Sequence, residues 1–352
     1  MNEISVSIDN REVIVPQNFT ILQAAERAGV KIPTLCHLKE LTPCSACRIC
    51  LVEVEGARSL ATACSYPVAP AMKVKTRTDR VLKARRLVME LILSDHPLDC
   101  MTCEKTGSCT LQDLAYEMGL TGSRIKGEQH HYPPDLSNPF IVRDYNKCVL
   151  CERCTRICDE IQGSNAIEYA HRGFNTKVAV PYHRSLTDSD CVFCGQCVSV
   201  CPVGALTEKV RLGQGREWEF QKVPTICSYC GVGCLLFLNI KEGKIVRVTT
   251  EREQGVNKGN TCVKGRFGFD YVHSADRLTT PLIKENGKFR QASWDEALDK
   301  VAQGLAHVKA KYGADAIGIL ASAKCTNEEN YLLQKLARAV LGTNNVDHCA
   351  RL

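Results

Sequence analysis

No stretch of this chain is apolar for long enough to span a bilayer. The longest apolar runs, such as Leu87 to Leu93, fall far short of the ~20 residues a spanning helix needs, so no membrane span is expected. The start, MNEISVSIDNREVIV, has no basic segment leading into an apolar one and no twin arginine, which predicts a cytoplasmic location. Aromatic residues make up only 6% of the chain, and none interleave with basic residues as a nucleic-acid surface would require. Nothing resembles a small secreted scaffold held by disulfides.

Cysteine is abundant instead: 22 of 352 residues. In a reduced compartment such thiols are metal ligands, and the open alternatives are structural zinc and iron-sulfur clusters. Nineteen of the cysteines, with one histidine, fall into five groups whose spacing suits clusters. The formal charge of +6 fits that reading. Four clusters held by four thiolates and one held by three thiolates and an imidazole add about −9, leaving the loaded chain near about −3.

The chain reads as five segments in series. In the first, 1–78, Ile4 to Ile8 alternates, Asp9-Asn10 turns, and Glu12 to Val15 returns, which predicts a hairpin. A short helix is expected from Ile21 to Ala28, capped by Thr20 or Asn18 and stopped by Gly29, before a cysteine-rich loop and a closing strand, MKVKT. The second segment, 79–119, opens with a helix over 79–96. Val81, Leu82, Ala84, Leu87, Val88, Leu91 and Ile92 recur at helical spacing, and Arg80, Lys83, Arg85 and Arg86 are expected on a solvated face. Residues 119–138 read as a linker. Two cysteine-rich repeats fill 138–209, and EKVRLGQGREWEF bridges to the fourth segment, 220–276. The fifth, 277–352, turns to an α/β pattern. A helix is expected over 294–312, a buried strand over 316–321, and a second helix from Thr326 with Glu329 as capping box, ended by Gly342. A further parallel strand is expected to follow.

Cys36, Cys47, Cys50 and Cys64 have ten, two and thirteen residues between them, as a loop wrapped around a 2Fe-2S cluster requires; Cys44, three residues before Cys47, competes as a ligand. His96, Cys100, Cys103 and Cys109 stand in HPLDCMTCEKTGSC, and imidazole in place of a thiolate raises a cluster's potential. Cys148, Cys151, Cys154 and Cys158, then Cys191, Cys194, Cys197 and Cys201, are two C-x2-C-x2-C-x3-C runs. The fourth cysteine of such a run ligates the other cluster. One 4Fe-4S site is therefore Cys148, Cys151, Cys154 and Cys201; the other is Cys158, Cys191, Cys194 and Cys197. Pro202 follows Cys201 as the pattern asks, whereas Asp159 follows Cys158. Cys227, Cys230, Cys234 and Cys262 make a fifth group, C-x2-C-x3-C-x27-C. Cys325 and Cys349 read as ordinary buried thiols.

These motifs resemble known families. The first two groups, with CRICLVEVEG and the HPLDC string, are similar to the 2Fe-2S and histidine-ligated 4Fe-4S sites of complex I large subunits and iron-only hydrogenases, a resemblance that places the ligand at Cys47 and implies that Cys44 is a spare thiol. CSYCGVGC and CVKGRFGFDY resemble the 4Fe-4S domain of molybdenum or tungsten bis-pterin enzymes, where a lysine matching Lys264 lies between cluster and pterin. The whole order resembles the catalytic subunit of soluble formate dehydrogenases linked to NAD(P) or ferredoxin. That resemblance implies an α+β multidomain iron-sulfur protein. Its parts are a β-grasp 2Fe-2S domain, a histidine-ligated 4Fe-4S domain, a two-cluster ferredoxin-like domain, a bis-pterin-type 4Fe-4S domain and the start of an α/β pterin-binding domain.

The implied cofactors are one 2Fe-2S cluster, four 4Fe-4S clusters and, in the complete enzyme, molybdenum or tungsten bis-molybdopterin guanine dinucleotide. The implied substrates are formate and CO2. The implied partners are flavin/NAD(P)-binding and small 2Fe-2S subunits like those of complex I or bifurcating hydrogenases, with ferredoxin as a further one. The family's metal ligand, selenocysteine or cysteine, follows a string like DHCARL, so it is expected just after Leu352, across an in-frame UGA codon. A stand-alone electron-transfer subunit of a hydrogenase or dehydrogenase complex is the alternative, and a zinc scaffold the third.

Overall fold

The structure, a computed structural model, describes residues 2–348. It divides into two compact units, Met1–Gln221 and Lys222–Leu352. Cys349 and the string through Leu352 lie outside the described residues.

The first unit opens with the antiparallel pair β1 (Glu3–Ile8) and β2 (Arg11–Pro16). Asp9 and Asn10 both take positive φ, 47° and 68°, as a two-residue hairpin turn matched to strand twist demands. Helix α1 (Ile21–Arg27) starts at a capping box: the Gln23 amide donates to Thr20 Oγ1, and the Thr20 amide donates to Gln23 Oε1. Strands β3 (Leu51–Val54), β4 (Ala61–Thr62) and β5 (Lys73–Lys75) complete a sheet of order β2-β1-β5-β3-β4, with β1 and β5 parallel. Ile21, Leu22, Ala24 and Ala25 of α1 pack with Val6, Ile8, Val15 and Val52 in one core. Each large aliphatic side chain so buried contributes about 1.5–3 kcal/mol. The loop from 36 to 50 leaves this core carrying the first cysteines.

Helix α2 (Asp79–Asp95) is capped by Thr78. Its buried stripe differs from the expected one. Val81, Arg85, Met89 and Leu93 face inward with Glu90, whereas Leu82, Leu87 and Leu91 are 48%, 52% and 52% exposed. Arg85, expected in solvent, is buried because it donates from Nε and Nη2 to the Leu51 carbonyl of β3, at 3.0 and 2.6 Å. The strand carbonyl takes from Arg85 a charge-assisted bond that a leucine at this position could not supply. Burial lowers its pKa to about 10. Glu90 accepts both guanidinium bonds of Arg124, at 2.8 and 2.9 Å, so the irregular linker is tied to α2. His130 adds a second tie through Asp95.

After α3 (Thr110–Glu117) come β6 (Ile141–Arg143) and α4 (Arg153–Arg156), which continues as a wide turn over Ile157–Ile161. Next are β7 (Glu168–Ala170), β8 (Lys177–Ala179), α5 (Gln196–Val200) and β9 (Leu206–Glu208). The two repeats interlock, since β6 before the first cysteine run pairs with β9 after the second.

A three-stranded sheet of β10 (Gln221–Ile226), β11 (Leu235–Lys241) and β12 (Lys244–Thr249), with β11 and β12 antiparallel, opens the second unit, and α6 (Val263–Phe267) follows. A hairpin of β13 (Leu282–Glu285) and β14 (Lys288–Gln291) leads to α7 (Trp294–Tyr312), capped by Ser293. Strand β15 (Ile319–Ala321), helix α8 (Asn327–Lys335) with its Thr326/Glu329 capping box, and the parallel strand β16 (Val346–His348) follow. The expected buried strand over 316–321 is shorter than predicted, and Leu320 is 87% exposed. Its sheet has only two strands among the described residues, too few to cover both faces. Cys325, expected buried, is half-buried. No helix among the described residues is long and apolar enough to cross a membrane.

Candidate iron-sulfur centres

Cys36, Cys47, Cys50 and Cys64 are all buried, and the half-buried Cys44 joins them. Cys44 and Cys36 hydrogen-bond, Cys36 also bonds Cys47 and Cys64, and Cys64 bonds Cys50. Hydrogen bonding within the group, together with burial, pushes Cys36, Cys44 and Cys64 up. The bond from Cys36 draws Cys47 down to about 6, helped against burial by backbone N–H groups of Ile49, Cys36 and Leu35. Such N–H donors stabilise a thiolate.

In the second group Cys103 and Cys109 are buried, while His96 and Cys100 are half-buried. Burial lowers the His96 pKa, favouring the neutral imidazole that ligates metals, and its Nδ1 is buried without a hydrogen-bond partner. His96 and Cys103 feel the same two charges, Asp99 and Lys147, which are paired at 3.0 Å. Gly204, three residues after Cys201, packs against this loop. A Cβ there would lie 2.7 Å from Cys103 Sγ. The bridge after β9 also folds over the loop. Arg216 donates to the carbonyls of Cys103 and Met101, and the buried Arg211 pairs with Glu104 at 2.7 Å.

The third and fourth groups share one backbone device. Leu150 and Glu152 in the first run, and Phe193 and Gly195 in the second, occupy matching positions between cysteines with φ of 49°, 60°, 52° and 69°. A left-handed turn at a non-glycine residue costs about 1–2 kcal/mol, so three of them need a compensating role. They turn N–H groups toward sulfur. The amides of Leu150, Arg153 and Phe193 donate to Cys148, Cys151 and Cys191. Concave N–H nests of this kind hold anions, iron-sulfur clusters among them. Cys148, Cys151, Cys154 and Cys201 line one narrow cavity with Ile167, Val178, Val203 and Leu206, so the second run's last cysteine stands with the first run's three. Cys158 is within electrostatic reach of Cys191 and Cys197. Burial raises Cys148 to about 11 and Cys151 to about 12, and pushes Cys154 and Cys197 higher still.

In the second unit Cys227 and Cys234 are half-buried, and Cys230 and Cys262 exposed. All four interact, since burial first and then the other three thiols raise Cys234. Lys264 is exposed on α6, two residues after Cys262.

In the first unit the donor sets fit iron-sulfur clusters: buried and half-buried thiols in groups, N–H groups aimed at sulfur and a buried imidazole nitrogen without a hydrogen-bond partner. Among the described residues no three His, Cys, Asp or Glu side chains converge as one bound ion requires. The residues that sequence reasoning missed are Gly204, Glu104, Arg211 and Arg216. Each acts across a hundred or so residues, and spacing carries no signal for that.

Residues 1–79 match the 2Fe-2S iron-sulfur cluster binding domain, and 85–124 the NADH-ubiquinone oxidoreductase-G iron-sulfur binding region. Residues 138–207 match the ferredoxin-like domain of NADH-quinone oxidoreductase subunit 3. Residues 220–274 match the molybdopterin oxidoreductase Fe4S4 domain, and 277–352 molybdopterin oxidoreductase itself. Residues 220–352 are thus similar to molybdopterin oxidoreductases, and the iron-sulfur region before them is similar to that of NADH-ubiquinone oxidoreductase-G. The chain is 39% identical to the NADPH-Fe(3+) oxidoreductase subunit alpha of Geobacter sulfurreducens, over 99% of this chain and 40% of that protein. It is 40% identical to an NADH-quinone oxidoreductase subunit of Rhizobium meliloti, over 99% and 40%. It is 32% identical to a putative formate dehydrogenase of Staphylococcus aureus, over 98% and 39%. The chain thus spans about two fifths of these relatives' length. The crystal structure of NAD+-reducing [NiFe]-hydrogenase in the H2-reduced state is similar at a TM-score of 0.55 and 30% identity, over 58% of this chain and 87% of that one.

Proposed function

We propose that this region conducts electrons in a formate dehydrogenase, between a molybdopterin-bound molybdenum or tungsten centre and a flavin/NAD(P) or ferredoxin partner. In this reading Cys36, Cys47, Cys50 and Cys64 hold a 2Fe-2S cluster, and His96, Cys100, Cys103 and Cys109 hold a 4Fe-4S cluster. Cys148, Cys151, Cys154 and Cys201 hold the third centre, Cys158, Cys191, Cys194 and Cys197 the fourth, and Cys227, Cys230, Cys234 and Cys262 the fifth. The clusters, when bound, supply one-electron carriers beside the pterin centre's two-electron chemistry. The chain's own residues supply thiolates, N–H nests that offset negative charge, and apolar walls that exclude water. Lys264 follows Cys262 closely enough to lie between the fifth centre and a pterin.

The observation that carries the reading is the cavity shared by Cys148, Cys151, Cys154 and Cys201. Its loops touch the His96 group, where Gly204 meets Cys103, and this adjacency supports an order with the two groups in series. A second reading keeps the conductor but not the formate chemistry. The relatives named as NADPH-Fe(3+) and NADH-quinone oxidoreductase subunits favour it over the same length.

The two readings part on one assay. The anaerobically purified holoenzyme, in its native complex, is tested for formate-dependent viologen reduction and analysed for molybdenum and tungsten. Formate-dependent activity with either metal is the result expected. NAD(P)H-dependent dye reduction without any formate response would leave the second reading standing alone.

A further inference from the structure

Two arginines on α4 join the loop of the first cysteine group to the ferredoxin runs. Arg156 donates from Nη2 to the Cys36 carbonyl at 2.7 Å, with a longer contact of 3.5 Å to the Cys151 carbonyl, and from Nη1 to the Thr42 carbonyl at 2.5 Å. Arg153 donates from Nη2 to the His37 carbonyl at 3.0 Å and makes a 3.5 Å contact with the Val200 carbonyl. The Thr42 amide returns a bond to Glu160 at 2.7 Å. Leu41, Ile157 and Val200 form an apolar contact beneath, with Leu38 against it. The Nε atoms of both arginines are buried without a protein hydrogen-bond partner. Thiols of both groups act on Arg153: Cys151 and Cys201 from one side, Cys36 and Cys47 from the other.

We propose that Arg156, supported by Arg153, is the positioning residue that locks the 2Fe-2S loop onto the neighbouring 4Fe-4S loop and sets the electronic contact between the two centres. The proposal rests on the ligand reading above. A guanidinium fork is suited to this because it can hold carbonyls of two loops at once in a fixed plane, which a lysine cannot. Its positive charge also lies beside both centres, where it favours the reduced, more negative state. Transfer between them moves one electron from the reduced centre to the oxidised one. Arg156 gains and loses neither electron nor proton.

The test uses the holoenzyme in its complex, with R156Q and R156K variants, reduced by dithionite and followed by rapid freeze-quench electron paramagnetic resonance. Iron content and equilibrium spectra are read first. A wild-type protein without the 2Fe-2S signal would overturn the ligand reading and leave the bridge unsupported. With both signals present, equilibration between the two centres in R156Q is expected to slow roughly tenfold, and the 2Fe-2S potential to move negative. R156K is expected to restore the potential but only part of the rate. Wild-type rate and potential in R156Q would overturn the proposal. Should R156Q lose its iron, R156K decides alone: a slowed rate supports the bridge, and a wild-type rate refutes it.

Discussion

In the proposed ligand set, the imidazole of His96 in place of a thiolate would remove a negative charge from the centre, and the neutral ring is the form that burial of His96 favours. His96→Cys is therefore expected to keep a four-iron centre while moving its potential negative by on the order of a hundred millivolts or more, read by a redox titration with paramagnetic resonance. An unchanged potential would remove His96 from the ligand set. Gly204 makes a second demand at this scale. With a Cβ only 2.7 Å from Cys103 Sγ, Gly204→Ala forces the two loops apart. It should cost about 1–3 kcal/mol as overpacking and lower the iron content of the purified protein. The cysteines were legible because thiols two or three residues apart, in repeated runs, leave a spacing in the sequence. Gly204 was not, since its neighbour Cys103 stands 101 positions earlier. Cys44 was legible only in part: its spacing marked it as a competitor, and the structure places its thiol on Cys36.

At the scale of elements, the segment after β9 acts as a strap over the His96 loop. Arg211 is 2% exposed and shared between Glu104 and Glu217, at 2.7 and 3.7 Å. Glu104→Gln strips that guanidinium of its nearer charge, a loss of about 3 kcal/mol for a buried pair. The expected outcome is a lower midpoint in denaturant and faster loss of iron from the second centre under chelator; an unaltered midpoint would show the strap to be ornamental. The linker offers a parallel case. Arg124→Gln breaks the bidentate tie to Glu90, so trypsin should cut at Lys126 faster than in the parent, and equal cutting would argue against the tie. The hairpin turn at Asp9-Asn10, the Thr20 and Thr326 caps and the long helices α2 and α7 could be read from local pattern. The buried face of α2 could not. Its register was decided by the Leu51 carbonyl, to which Arg85 reaches across 34 positions.

At the scale of the molecule, the first unit gathers four of the five cysteine groups, and the second unit carries the fifth beside the α/β region. In the first unit the two ferredoxin runs form the hub. Gly204 and Lys147 join it to the His96 loop, and Arg153 and Arg156 join it to the Cys36 loop. A hub with two arms could not be inferred from the serial order of motifs, because chain order carries no information about which loops touch. The formal charge of +6 is consistent with this arrangement, since buried anionic centres need nearby cations. All of this depends on the thiols holding clusters. The most direct test is metal analysis with paramagnetic resonance on the anaerobically purified protein. One 2Fe-2S and four 4Fe-4S signatures with roughly eighteen irons per chain are predicted, whereas a colourless protein loaded with zinc would contradict the account.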